Sequence, residues 1–292
     1  MPDAVFGRGR RYCWYAIRES TIMLQAIHIA PSPAPASRGQ VKCSSCALNK
    51  LCLPTGLDEA ATGQLDKIIG RRRRVERGET LFSMDQSFRN LYAIRFGHFK
   101  TFRINPGGEQ QVVGFHMAGE LLGMDAIGTE RHHNCAEALE DSEICEIPFA
   151  RLDELFTELP QLLRHFHRIM SHEITREQSV MLFLGGMRAE QRFAVFLLNL
   201  AVRYAARGYS PTRFQLRMSR EEIGNYLGLT IESVSRLLLR FKEKGWLRIA
   251  KREVELLDRA SIEALANGLV YAEPIASKRP RQGAGARLAA AA

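Results

Sequence analysis

Three cysteines fall within ten residues of this chain, Cys43, Cys46 and Cys52, in the spacing C-x2-C-x5-C. Thiolates are soft ligands, and that crowding points to metal binding rather than a disulfide framework. A zinc site takes four tetrahedral ligands, usually from two close pairs. Iron–sulfur clusters also take four thiolates, but they accept irregular spacing with one remote ligand. The remaining cysteines are Cys13, Cys135 and Cys145. Two of them are candidates for the fourth ligand. Cys145 lies in Glu143-Ile144-Cys145-Glu146-Ile147-Pro148, whose alternation reads as a strand. Cys135 follows His132-His133-Asn134 in an expected loop. Val41, Leu48, Leu51 and Leu53 offer an apolar shell that limits solvent access.

A second chemistry is written into Met218 to Leu247. Ser219 with Glu222 three residues on forms a capping box, and Ile223 and Leu227 give that helix an apolar stripe. Gly228-Leu229 makes a tight turn. Thr230 caps a second helix carrying Val234, Leu237, Leu238 and Phe241, which Gly245 stops. This is a helix-turn-helix pattern. Glu232, Ser235 and Arg236 share the face of the second helix opposite its buried side. Arg pairs bidentately with guanine, Glu accepts from cytosine, and Ser bonds to either, so the three predict major-groove reading of double-stranded DNA.

The elements that must position these residues are legible in outline. Residues 1–40 read as a disordered extension ending in the stiff run Pro31-Ser32-Pro33-Ala34-Pro35, and residues 41–56 as the cysteine segment. Residues 57–159 begin with a helix from Asp58 to Ile69 and continue as short strands punctuated by glycines, a small β-barrel or sandwich. Residues 160–186 read as one long helix that Pro160 opens and Gly185-Gly186 stops, spanning roughly 35 Å. Its apolar residues, among them Phe166, Ile169, Met170 and Ile174, suit a dimer seam or, equally, packing against the rest of its own chain. His165, His167 and His172 on it read as solvated. Residues 187–260 hold the helix-turn-helix, and 261–292 read as a mostly disordered tail. The fold class expected is α+β.

The composition agrees with these assignments. The chain has 292 residues, 41 Lys plus Arg against 32 Asp plus Glu, and a net charge of +9. With 46% apolar and 25% charged residues it excludes collagen, a mostly disordered chain and a multi-span membrane protein. The basic excess is local. Residues 188–265 carry 15 basic and 9 acidic groups, as a polyanion-binding module requires. No stretch reaches the roughly 20 apolar residues of a membrane span. Arg10-Arg11 and Thr21 to Ala30 give a faint export signal, but Gln25 and His28 interrupt it, so no signal peptide is expected. Translation from Met23 is the alternative reading. The cysteine usage predicts a reducing, cytoplasmic compartment.

From about residue 41 to 258 the chain resembles the oxygen-responsive FNR regulators of the Crp/Fnr superfamily. The matching stretches are the Cys43/Cys46/Cys52 group, Leu91-Tyr92-Ala93-Ile94-Arg95, Gly114-Phe115-His116, Asp125-Ala126-Ile127-Gly128 and Ala138-Leu139-Glu140. Cys145-Glu146-Ile147-Pro148-Phe149 and Ile223-Gly224-Asn225-Tyr226-Leu227-Gly228-Leu229-Thr230 complete them. The resemblance implies a cyclic-nucleotide-binding-like β-roll, a long dimerisation helix and a C-terminal winged helix-turn-helix domain. It implies a 4Fe-4S cluster on Cys43, Cys46, Cys52 and Cys145, and so favours Cys145 over Cys135. It implies a homodimer that reads TTGAT-type half-sites with Glu232, Ser235 and Arg236, and that oxygen converts the cluster, weakens the dimer and releases DNA. Glu177 matches an acidic position at which the family opposes pairing of the cluster-free form. RNA polymerase is the expected protein partner, contacted through the Asn105 to Gln110 loop.

Rival functions are weaker. Cyclic-nucleotide-binding relatives pair a Gly-Glu with a later Arg-Ser that holds the phosphate. Gly119-Glu120 is present, but Arg131 to Glu137 contains no Arg-Ser, so no cyclic nucleotide is expected. A thiol oxidoreductase would place Cys43-x-x-Cys46 at a helix start after a strand, and here it follows a Pro-rich linker. No nucleophile–His–Asp set or phosphate loop is found, so the chain is not expected to be an enzyme. A zinc-stabilised DNA-binding protein is the third rival, separated by metal identity.

Overall fold

The computed structural model describes residues 42–266. The N-terminal extension, Cys13 and nearly all of the C-terminal tail lie outside the described residues. Asp58 caps α1 (Glu59–Ile68), its carboxylate accepting from the Ala61 N–H. Eight strands follow: β1 (Arg71–Val75), β2 (Thr80–Phe82), β3 (Asn90–Phe96), β4 (His98–Ile104), β5 (Gln110–Met117), β6 (Leu121–Leu122), β7 (Cys135–Ala138) and β8 (Ser142–Pro148). They form two four-stranded antiparallel sheets, ordered β1-β8-β3-β6 and β2-β7-β4-β5. Ile94 and Ile144 of the first sheet meet Phe82, Phe99 and Ala138 of the second in one buried core. This is the expected β-roll.

Strand β3 of the first sheet is buried on both faces, and the two-residue period of the sheet's strands sorts the side chains. Tyr92, Ile94 and Ile144 face into the roll. Leu91, Ala93, Cys145 and Ile147 face outward, into a second core. That outer core is closed by α1, α2 (Phe149–Glu158) and the first half of α3 (Pro160–Gly186). Helix α3 is 27 residues long, with Pro160 in its first turn, where a missing N–H costs nothing.

The C-terminal part comprises α4 (Ala189–Ala206), β9 (Arg213–Gln215), α5 (Arg220–Leu227), α6 (Ile231–Glu243), β10 (Leu247–Ala250), β11 (Glu253–Leu256) and α7 (Arg259–Leu265). The strands make a three-stranded wing in the order β10-β11-β9. Phe193, Leu197, Ile223, Val234, Phe241 and Val254 form the centre of its core. Among the described residues, no helix is long and apolar enough to cross a membrane.

Three expectations are corrected. Cys135 is not in a loop: it opens β7, is 1% exposed, and pairs in register with Phe102. The chain stays folded past residue 260, because α7 buries Ile262 in the winged domain's core. His165 is buried rather than solvated, whereas His167 and His172 are exposed as expected.

Phe241 is fully buried, with Phe193 and Trp246 edge-on at centroid distances of 5.5 and 5.2 Å. Phe241→Ala is expected to destabilise the winged domain by about 3–5 kcal/mol in urea unfolding. A loss below about 1 kcal/mol would contradict this packing.

Candidate functional site

The cysteine segment has no regular element and is held by its own turns. The Cys46 N–H donates to the Cys43 carbonyl at 3.1 Å, and the Cys52 N–H to the Leu48 carbonyl at 3.0 Å. Asp66 on α1 anchors the start, accepting from the Cys43 N–H and from the Ser44 hydroxyl. The Cys52 carbonyl anchors the end. It accepts from the Thr55 N–H at 3.0 Å, the Thr55 hydroxyl at 2.6 Å and, from α3, His165 Nε2 at 3.3 Å. Leu51 lies on Gly119, where a Cβ would stand 3.1 Å from the Leu51 Cβ. Gly119 also has φ +91, a conformation that side chains disfavour, so glycine is required twice over.

The fold brings the four predicted ligands together and leaves Cys135 out. Cys43, Cys52 and Cys145 pack against the outer core, while Cys135 belongs to the core on the far side of the roll. Cys145 faces Arg72 on one side and Ala93 on the other in the sheet register. Ala93 is buried in the same core as Leu53, against which Cys52 packs.

The thiols also sense one another's charge. Burial raises Cys43 well above the ordinary thiol range, reinforced by Cys52, Asp66, Cys145 and Cys46. Burial pushes Cys52 up to about 12, with Cys145 and Cys46 adding to it against a backbone hydrogen bond. Burial pushes Cys145 up to about 11, Cys46 raising it further and Arg72 and Arg95 opposing. Cys43, Cys52 and Cys145 with no metal therefore prefer to stay protonated, and a bound cation would reverse that preference. Among the described residues no group of three His, Cys, Asp or Glu side chains converges as ligands of a single ion. Thiols supplied jointly by the cysteine segment and by β8 are the donor type that an iron–sulfur cluster takes.

The helix-turn-helix is built as its sequence predicts. Ser219 and Glu222 complete the capping box of α5, and Gly228 ends it in the left-handed conformation. A Cβ at Gly224 would stand 2.7 Å from the Leu229 carbonyl, so the close turn needs glycine there. Thr230 caps α6 through the Ser233 N–H. Val234, Leu237, Leu238 and Phe241 are buried, Glu232 and Arg236 are exposed, and Ser235 is half-buried between them. Sequence reading missed Arg220, whose guanidinium reaches across from α5 to the Ser235 hydroxyl at 3.2 Å. Its position, directly after the N-cap, was the available signal.

Helix α3 divides along its length. Phe166 is buried in its own chain's core beside Phe156, and Ile169 and Met170 pack against that core. Further on, Ile174, Met181, Leu182 and Leu184 are exposed, and so is Glu177. Residues 170, 174, 177, 181 and 184 advance by steps of four and three, the spacing of a coiled-coil seam with one acidic member.

Glu120, the acidic member of the nucleotide-site pair, is already engaged. Its carboxylate accepts from Arg203 at 2.7 Å and from Arg207 at 2.6 Å, both on or just after α4. Burial pushes its pKa up, but Arg203, Arg207 and Arg176 outweigh this and hold it well below the usual carboxylate range. Lys100 of β4 pairs with Glu222 of α5, and Asn225 of α5 bonds the β5 backbone at Gln110 and Val112. These contacts fix the winged domain to the roll.

In metal-free protein, alkylation of Cys145 by iodoacetamide is expected to keep accelerating above pH 9, toward about 11. A plateau by pH 9 would contradict the burial that raises this thiol.

Comparison with known proteins agrees with this geometry. The Crp-like helix-turn-helix domain profile matches residues 191–265, and the cyclic nucleotide-binding domain profile matches residues 72–158. The transcriptional regulatory protein btr of Bordetella pertussis is 48% identical over 231 residues, covering 79% of this chain and 96% of that protein. The transcriptional activator protein FnrA of Stutzerimonas stutzeri is 46% identical, covering 80% and 96%. The fumarate and nitrate reduction regulatory protein of Escherichia coli is 43% identical, covering 77% and 90%. Among solved structures, FixK2 from Bradyrhizobium japonicum superposes with a TM-score of 0.62 at 26% identity, covering 69% of this chain and 98% of that one. With a roll, a long helix and a winged helix-turn-helix in that order, and relatives this similar over most of their length, the chain belongs to the Crp/Fnr family as a DNA-binding transcriptional regulator of the FNR type, not an enzyme.

Proposed function

We propose that this regulator is oxygen-responsive, that Cys43, Cys46, Cys52 and Cys145 hold a 4Fe-4S cluster, and that the cluster-bearing state pairs through α3 to bind a TTGAT-type palindrome. The observation that carries the proposal is the single core in which Cys43, Cys52 and Cys145 pack with Leu162 and Phe166 of α3. When bound, such a cluster supplies an oxygen-labile link between the cysteine segment and β8. The chain's own residues do the rest. Seating the segment keeps the Cys52 carbonyl on His165 and Leu51 on Gly119, which holds the start of α3 in place. Releasing the segment opens the outer core and loosens that hold. Ligation shifts the equilibrium only as far as it favours the pairing-competent state.

Glu177 sets the opposing term. In a symmetric pair it faces its counterpart across the seam, where like charges and lost solvation resist association. Ile174, Met181 and Leu184 supply the apolar gain. Pairing then presents two copies of α6, with Glu232, Ser235 and Arg236 reading each half-site. Glu120 is consumed by Arg203 and Arg207, which argues against a cyclic nucleotide as the signal. The exposed Asn105 to Gln110 turn at the tip of the β4–β5 hairpin is the surface we assign to RNA polymerase. The cytoplasm is the compartment that suits the thiols.

Anaerobic reconstitution followed by iron and sulfide analysis tests the reading. The wild type and Cys135→Ala are expected to take up about four irons per chain and bleach in air, and Cys145→Ala to take up none. A colourless zinc protein, or loss on Cys135→Ala alone, would overturn it. Arg236→Ala is expected to cost about 1–3 kcal/mol of specific DNA affinity in a titration. Unchanged affinity would remove Arg236 from the reading face.

A further inference from the structure

Two guanidinium groups beside the cysteines have no full set of partners. Arg72 stands directly opposite Cys145 in the β1–β8 register, and so shares its sheet face. Arg95 occupies the irregularity of β3 between Ile94 and Phe96, where the register with β8 slips by one residue. Both reach the same carboxylate, Glu143. Arg95 Nη1 lies 2.7 Å from Glu143 Oε1 and Arg72 Nε 3.7 Å from it. One carboxylate between two guanidiniums leaves a surplus positive charge on that face. The Nε atoms of both residues are buried and have no hydrogen-bond partner. A buried unpaired donor is costly, and such a donor in a native protein calls for a partner. The neighbouring Arg71 differs. It is 72% exposed and paired to Glu146 at 2.7 Å.

We propose that Arg72 and Arg95 are the counter-charges of the cysteine-held cluster, placed by the β8 register and the β3 irregularity to compensate its negative charge and to set its reduction potential. This rests on the cluster reading above. Four thiolates outweigh the positive charge of an iron–sulfur core, so the loaded site is an anion in a partly apolar setting. One-electron reduction deepens that charge and oxidation relieves it. Adjacent guanidiniums therefore favour the reduced form and slow oxidation. They act through the cluster and are positioning residues.

The test uses full-length protein, loaded anaerobically, as wild type, Arg95→Gln, Arg72→Gln, Arg95→Lys and the control Arg71→Gln. Iron and sulfide content and thermal midpoint establish loading and folding. Mediated anaerobic titration then gives the one-electron potential. Each Gln variant is expected to load as the wild type does and to shift the redox equilibrium about tenfold toward the oxidised form, a fall of about 59 mV. Arg95→Lys is expected to restore most of the wild-type potential, and Arg71→Gln to leave it unchanged. Equal potentials in loaded wild type and both Gln variants would overturn the counter-charge role while the cluster reading stands. A fall of equal size in Arg71→Gln would overturn it too, by showing that position does not matter. A wild type that takes up no iron and sulfide would overturn both.

Discussion

The structure turns on one packing interaction, the seating of a short cysteine segment on the outer face of the first sheet of the roll. That segment has no helix or strand of its own. It owes its shape to turns, to Asp66 and Thr55, and to the hydrophobic contacts of Leu53 and Cys52 with the outer core. The same core contains Leu65 of α1, Leu152 of α2, and Leu162 and Phe166 of α3. Whatever fixes or frees the segment therefore acts on the root of the long helix. A cluster held jointly by the segment and by Cys145 would close a covalent loop across this core, and its loss would return the segment to weak packing alone. Protein interiors transmit such a change because they are close-packed.

The far half of α3 and the winged domain receive that change by different means. The exposed stripe of α3 is apolar with one acidic interruption, Glu177, and in the proposed pairing a modest bias at the helix root can tip that balance. The winged domain is joined to the roll by polar contacts. Glu120 sits one residue after the glycine on which Leu51 rests, and its carboxylate binds Arg203 and Arg207. Lys100 is shared between Glu137 and Glu222. The cysteine segment thus touches one side of the Gly119-Glu120 turn and the winged domain the other.

Much of this was legible in the sequence, because local rules and tertiary packing agree. The capping box at Ser219, the glycine at 228 and the opening proline at 160 fixed helix boundaries that the structure reproduces. The alternation around Cys145 correctly placed it on a strand. Burial that depends on distant partners was not legible. His165 looked like a surface residue because its neighbours Arg164, His167 and Arg168 are polar, and only the fold reveals Cys52 above it. Cys135 looked like a loop residue after two histidines, yet His132 is itself buried, stacked on Phe82 at 3.8 Å. Phe166 fitted the seam by spacing but is taken by Phe156 of its own chain. The register with β8 is what distinguishes Arg72 from its neighbours.

The central claim is a linkage between ligation at the cysteines and pairing through α3. It is tested most directly by measuring DNA affinity and sedimentation mass together, under argon, for cluster-loaded protein and for the same sample after air and desalting, on a palindromic TTGAT-type duplex. The account predicts a loaded dimer that binds at least about tenfold more tightly than the air-treated monomer. Equal mass and equal affinity in the two states would contradict it.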